Sequence, residues 1–277
     1  MILRKWRTGL AIVLLGIFAV SLAAQFRRGQ YRSTSGGNRW ARYEYEMQDP
    51  IDDPPDASRK GEFALGRLRY HSPMDGGRFY SRWGIDVNKG DRLFLSHLIR
   101  LTRIDVESIE NIVDIATDQI FETPWMFAGS VGDWQVNPAE AARMREYFLR
   151  GGFLMVDDFH NPREWATFMD GMRRMDPTME ATELEDGDPM FQAVYNLDKR
   201  IRVPGANVVH GSQVERRGVE PHGRAIRDSK GRVIVGVCFN MDVGDGWEFA
   251  DEPQYPEKYA SEGIRLGLNY VVYAMTH

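Results

Sequence analysis

The stretch Asn137-Pro-Ala-Glu-Ala-Ala-Arg-Met-Arg-Glu-Tyr-Phe-Leu-Arg-Gly151-Gly-Phe-Leu-Met-Val-Asp157-Asp-Phe-His160 decides the fold. Its first four residues form a helix start signal. Asn137 is placed to cap, Pro138 takes the first helical position, and Glu140 lies three residues after the cap. Ala141, Met144 and Phe148 fall on one face of that helix. Gly151-Gly152 supplies a left-handed stop. Residues 153–157 then read as a strand apolar on both faces, as in a parallel sheet covered on both sides.

The same grammar extends in both directions. Residues 63–70 read as a first strand, and a helix over 91–102 follows with Leu93, Leu95, Leu98, Ile99 and Leu101 as its apolar surface. Residues 109–115 form a weak helix or strand, and 124–128 a short strand. Asn161-Pro162-Arg163-Glu164 repeats the start signal for a helix running to about Met175. A short helix near 190–195 is followed by a hairpin, 224–227 with 232–239, around Asp228-Ser-Lys-Gly231. The last helix, 256–275, aligns Ile264, Leu268, Val271 and Met275. Alternating strands and helices predict an α/β fold with a doubly wound, mostly parallel sheet and a C-terminal hairpin at one edge.

The N-terminal end reads as an address. Arg4, Lys5 and Arg7 precede an uncharged apolar run to Ala24, the layout of a secretory signal peptide. A retained N-terminal anchor is the alternative, with the membrane as a partner if the segment stays uncleaved. Both place the remainder outside the cytoplasm, in the periplasm or facing it. Residues 25–60 read as a flexible linker with Gly36-Gly37, Pro50 and Pro54-Pro55, interrupted by Trp40, Tyr43 and Tyr45. Residues 61–277 make a single α/β domain. Setting aside residues 1–24, with their three basic groups, leaves 32 basic against 40 acidic residues. That balance argues against a nucleic-acid partner, which needs a basic footprint. Cys238, the one cysteine, falls mid-strand and excludes both an internal disulfide and a cysteine zinc site.

In open α/β sheets, ligands bind beyond the carboxyl ends of the strands. Four loops qualify: His71-Ser72, Gly129-Ser130, Asp157-Asp-Phe-His160 and Asn240-Met-Asp-Val-Gly-Asp-Gly-Trp-Glu248. Strand alternation keeps Asp157 and Asp158 from sharing one face, whereas Asp158 and His160 can converge. Such a pair suits cation binding or proton transfer, unless Asp158 serves only loop amides. Asp242 and Asp245 do not have the spacing of a calcium loop, so turn chemistry is the default there. Ser130 lacks the glycine two residues earlier that a nucleophile elbow requires, since that position is Ala128. The candidate ligand-binding residues are therefore His71, Asp157, Asp158, His160, Asp242 and Trp247. The residues name no reaction, cofactor or metal.

Several segments, in order, resemble a known family. They are Leu68-Arg-Tyr70, Asp91-Arg-Leu-Phe-Leu95, Tyr147 to Asp158, Asp188-Pro-Met-Phe191, Gly246-Trp-Glu248 and Leu266-Gly-Leu-Asn-Tyr-Val-Val-Tyr-Ala-Met-Thr-His277. This order is similar to that of the bacterial family catalogued as domain of unknown function 4159, over about residues 62–277. The resemblance implies a three-layer flavodoxin-like fold, akin to class I glutamine amidotransferases, and a cell-envelope location. It does not imply amidotransferase chemistry, because Cys238 lies inside a strand and not at an elbow.

Two functional expectations follow. The first is a non-catalytic envelope module that binds a small ligand or an envelope protein at the strand ends, with Trp83, Trp125 and Trp247 as exposed contact aromatics. The second is a metal-assisted hydrolase using Asp158 and His160, with further ligands from His71 or Asp242.

Overall fold

Asn137 caps its helix as its neighbours predict. Its Oδ1 accepts from the Ala139 and Glu140 amides at 2.9 and 3.0 Å, while Glu140 Oε2 accepts from the Asn137 amide at 2.9 Å. A cap of this kind contributes about 1 kcal/mol. At the other end Gly151 takes a left-handed φ of 99°. The chain then turns under Tyr147, whose hydroxyl lies 2.7 Å from the Phe153 carbonyl.

The computed structural model describes residues 43–48, 50–73, 75, 80–197, 202–211 and 221–277. The elements, in order, are β1 (Gly66–Arg69), α1 (Lys89–Leu101), β2 (Asn111–Asp114), β3 (Trp125–Gly129) and α2 (Pro138–Leu149). They continue with β4 (Phe153–Asp157), α3 (Asn161–Met175), β5 (Ala181–Glu183), α4 (Pro189–Gln192) and α5 (Ala206–Val209). The chain closes with β6 (His222–Arg227), β7 (Val233–Phe239), α6 (Val243–Glu248) and α7 (Glu257–Thr276). The sheet order is β2-β1-β3-β4-β7-β6-β5. The first five strands in that order are parallel, and β6 and β5 extend the edge antiparallel.

Alternation along β4 builds the three layers. Leu154 and Val156 enter one core with Met144 of α2 and Phe168 and Met172 of α3. Phe153 and Met155 enter the other with Phe94 of α1, Trp247 of α6 and Leu268 of α7. All five residues of β4 are buried. The α/β class, the parallel sheet and the hairpin expected from the sequence are all present.

Three short elements escape the sequence reading. β5 is a three-residue, largely exposed edge strand, too short to show a period. α5 spans four residues. α6 contains Gly244 and Gly246, poor helix formers, and is held by the Asp242 cap and the burial of Trp247. The exposed aromatic surface expected from the tryptophans does not exist: Trp83, Trp125 and Trp247 are 0, 3 and 0 % exposed. An aromatic ring buries more apolar area than any other side chain, so the core outcompetes the surface for it.

Part of the segment read as a linker is docked. Glu46 and Met47 are buried, and Tyr43 meets the Trp83 ring edge-on at 5.9 Å, whereas Tyr45 is exposed. The signal or anchor expected over 1–24 lies outside the described residues. Among the described residues, no helix is long and apolar enough to cross a membrane.

Gly152 is where the central helix-to-strand joint tolerates least change. A Cβ there would lie 2.3 Å from the Tyr147 ring. Gly152→Ala is expected to lower stability by about 2–3 kcal/mol through overpacking, read as a reduced urea midpoint with an unchanged slope. An unaltered midpoint would show that the Tyr147 ring has room to move.

Candidate functional site

At the carboxyl ends of the parallel strands lies a crevice of about 490 Å³. Its lining includes seven acidic residues, Asp86, Asp133, Asp158, Glu164, Asp242, Asp245 and Glu248, against Arg82, Arg202 and His160. The backbone at this rim is forced. Asp86, Ser130, Asp158, Asn161 and Asn240 are the non-glycine residues with left-handed backbone among those described, with φ between 48° and 66°. Three of them line the crevice directly. Such conformations cost about 1–3 kcal/mol each and gather at functional sites.

β4 delivers two carboxylates with different surroundings. Asp157, on the strand, is fully buried. Its Oδ2 accepts from the Gly244 amide at 2.7 Å, and its Oδ1 has no hydrogen-bond partner among the described residues. Burial first, and then the neighbouring Asp158, push the Asp157 carboxyl well above its ordinary range. Asp158, one residue on, faces the crevice. Its Oδ2 accepts from the Ser130 hydroxyl, and its Oδ1 lies 3.1 Å from His160 Nε2. The expected convergence of Asp158 and His160 is therefore present. The Ser130 hydroxyl donates to the Asp158 carboxylate, whose other oxygen meets His160.

The tightest constellation joins two segments, the loop ahead of α1 and the turn that opens α6. Asp86, Asp242 and Asp245 can each offer an oxygen so that all three lie within 4.8 Å of one another. Two glycines open this cradle. A Cβ at Gly244 would lie 2.5 Å from Asp86 Oδ2, and one at Gly205 would lie 2.8 Å from Asp242 Oδ2. Asp242 Oδ1 accepts from the Asp245 amide at 2.9 Å, and Asp245 Oδ2 accepts from the Ala206 amide at 2.6 Å. Asp86 differs from both. It is 4 % exposed, yet among the described residues no hydrogen-bond donor or cationic partner contacts its carboxylate. A buried carboxylate without a donor is costly unless a cation or a proton neutralises it. Burial, then Asp245 and Glu248, hold Asp86 well above its ordinary range. Burial, then Asp245, do the same for Asp242. Burial raises Asp245 to about 6.

The remaining candidates lie elsewhere. His71 pairs antiparallel with Gln135 and faces a separate cleft, where its Nε2 is 3.4 Å from Glu140 Oε1. It cannot join Asp158 and Asp242, so the metal ligand expected from His71 is withdrawn. Trp247 sits beneath the crevice, stacked on Phe94 at 4.2 Å, with its indole N–H donating to the Gly263 carbonyl. It supports the floor and contacts no ligand space. Asp86 escapes the sequence reading, which assigns Asp245, with Asp242, to turn chemistry. The spacing test sought all calcium ligands in one loop, whereas Asp86 comes from the far end of the loop after β1. Cys238 is buried beside the Tyr270 hydroxyl, and burial raises its thiol pKa far above the ordinary range, so it supplies no nucleophile.

The crowded carboxylates set a pH signature for protein held in chelator. Their folded pKa values exceed the unfolded ones, Asp245 moving from 3.8 to about 6. The folded state therefore binds the extra protons. Stability from these groups is complete below the unfolded pKa and is lost as pH rises through the folded one. Asp245→Asn should therefore gain stability relative to the unsubstituted protein as pH rises from about 4 to about 6, measured by melting in EDTA. A difference that stays flat or reverses over that window would contradict the crowding.

No curated protein matches the chain. A family model described as Domain of unknown function (DUF4159) matches residues 64–275, a span that takes in β1 to α7, Asp86, the Asp157-Asp158 strand end and the Asp242–Asp245 turn. The chain belongs to that family.

Proposed function

We propose that this protein is an exported envelope module that binds a calcium-class divalent cation at the strand-end crevice and, through it, an oxygen-rich ligand. The observation that carries the reading is Asp86: a carboxylate on the crevice wall, 4 % exposed and without a donor among the described residues, beside Asp242 and Asp245, with their oxygens within 4.8 Å. Three carboxylates are hard oxygen ligands, suited to calcium or magnesium rather than to a soft metal. Calcium takes six to eight oxygens in flexible geometry at about 2.3–2.6 Å, whereas magnesium demands a near-ideal octahedron, so a cradle assembled from two segments favours calcium. Export is supported by Arg4, Lys5 and Arg7 ahead of the apolar run to Ala24.

Titration calorimetry on chelator-stripped protein is expected to show one calcium site. Saturation at a hundredfold excess over Kd should stabilise the fold by about 2.7 kcal/mol. Asp242→Asn should weaken binding at least tenfold, a loss of about 1.4 kcal/mol. No heat and no thermal shift with calcium, magnesium or manganese at millimolar concentration would overturn the cation reading.

A second reading, a metal-assisted hydrolase, is favoured by the His160–Asp158 contact on the same crevice wall. Asp158 would orient the imidazole as a base toward a cation-bound water. A binding module shows no turnover on phosphate or carboxylate esters with calcium, magnesium or manganese present. Turnover that His160→Ala abolishes while calcium affinity survives would establish the hydrolase instead.

Export has its own test. A fusion of residues 1–60 to a reporter active only outside the cytoplasm is expected to be active, and substitution of Leu14 and Leu15 by arginine to silence it. A reporter that stays inactive in the native fusion removes the envelope part of the proposal.

A further inference from the structure

Asp86 owes its position to a part of the chain far from the crevice in sequence. The loop carrying it, residues 81–88, is gripped at two points by a strap formed by the described residues between 43 and 53. At the first grip, the Ser81 amide donates to the Glu46 carbonyl at 3.1 Å, and the Gln48 amide donates to the Gly84 carbonyl at 3.3 Å. The approach is so close that a Cβ on Gly84 would lie 2.4 Å from the Glu46 carbonyl oxygen. The Glu46 side chain locks this grip, accepting from Trp83 Nε1 at 2.7 Å and from Arg69 Nη2 at 3.0 Å.

At the second grip, Asn88 is fully buried and holds the Ile51 backbone from both sides. Its Oδ1 accepts from the Ile51 amide at 2.8 Å, and its Nδ2 donates to the Ile51 carbonyl at 3.2 Å. Arg92 also donates to that carbonyl at 2.9 Å and pairs with Asp53 at 2.6 Å. Asp86 lies midway, two residues past Gly84 and two before Asn88. Its own backbone is left-handed, a conformation a non-glycine residue keeps only when its surroundings impose it. Gly244 limits it from inside the crevice, and the strap fixes it from outside.

We propose that the strap is the positioning clasp of the cation site, so that cation binding and strap docking stabilise one another. The inference rests on the cation reading above. With the strap docked, Asp86 is presented to Asp242 and Asp245. With the strap released, the 81–88 loop loses both grips and the third ligand is withdrawn. Coupling of this kind is reciprocal: whatever factor the strap contributes to cation affinity, the cation returns to strap docking. A pull or a partner acting on the chain ahead of residue 43 would then read out as a change in cation affinity.

Hydrogen exchange on the full chain tests the reciprocity directly. Added calcium is expected to slow exchange of the Gln48 and Ile51 amides at least fivefold, together with amides of residues 240–248. A second measurement uses Ile51→Pro, at an exposed position, which removes the amide donated to Asn88 and no buried side chain. Its calcium Kd is expected to rise at least fivefold when measured well below its melting temperature in EDTA, which the unpaired Asn88 acceptor lowers. Calcium that protects residues 240–248 and leaves the strap amides unchanged overturns the clasp alone, as does an unaltered Kd in Ile51→Pro. If the unsubstituted chain takes up no calcium, the cation reading falls and the clasp falls with it.

Discussion

The guanidinium of Arg67 is wholly buried in β1 and carries a charge it cannot shed. Burial opposes that charge, but Asp91, and beyond it Asp86 and Asp157, more than offset the cost. Two hydrogen bonds at 2.6 and 3.1 Å join Arg67 to Asp91, and the Phe127 ring lies 4.5 Å from the guanidinium carbon. Breaking such a pair from one side costs about 3–5 kcal/mol, so α1 cannot leave β1. Because α1 starts at Lys89, this one ion pair also fixes where the Asp86 loop must end. Arg67 Nη1 and Asp157 Oδ1 both lie beside Gly129 at the end of β3. The positive charge below and the carboxylates above are thus parts of one arrangement.

One buried arginine cannot balance the wall above it. Asp86, Asp157, Asp242 and Asp245 are all held above the ordinary carboxylate range, with burial as the leading cause in each. A fold selected for stability alone would replace some of them by amides or apolar groups. Their joint presence, with Asp86 on left-handed backbone and glycines at 205 and 244 leaving room, is a stability cost of the kind associated with binding sites.

The fold was legible because its signals are local. The cap at Asn137, the glycines at 151 and 152 and the five buried residues of β4 each occupy a few consecutive positions, and each predicts its own conformation. Part of the crevice was legible for the same reason: Asp158, His160 and Asp242 sit immediately beyond strands. Asp86 was not, because the loop after β1 runs to residue 88 before folding back, and the strand-end rule marks only its beginning. Nor was the strap, whose hold is made largely by backbone amides and carbonyls that no side-chain pattern reports. Trp247 was misread in the opposite sense. It lies in α6, beside the crevice-lining Glu248 in the chain, but the turn of the helix directs it into the core.

Asp158 separates the two roles that the crevice could combine. One of its oxygens is engaged by Ser130 and the other by His160. A carboxylate so occupied is poorly placed to become a fourth cation ligand without giving up a partner, whereas Asp86 gives up nothing. The cradle of Asp86, Asp242 and Asp245 and the couple of Asp158 with His160 are therefore distinct units sharing one wall. Their coupling is electrostatic, since Asp158 acts to raise the pKa of Asp86, Asp242 and Asp245 alike. A cation entering the cradle would relieve that repulsion on all four carboxylates at once.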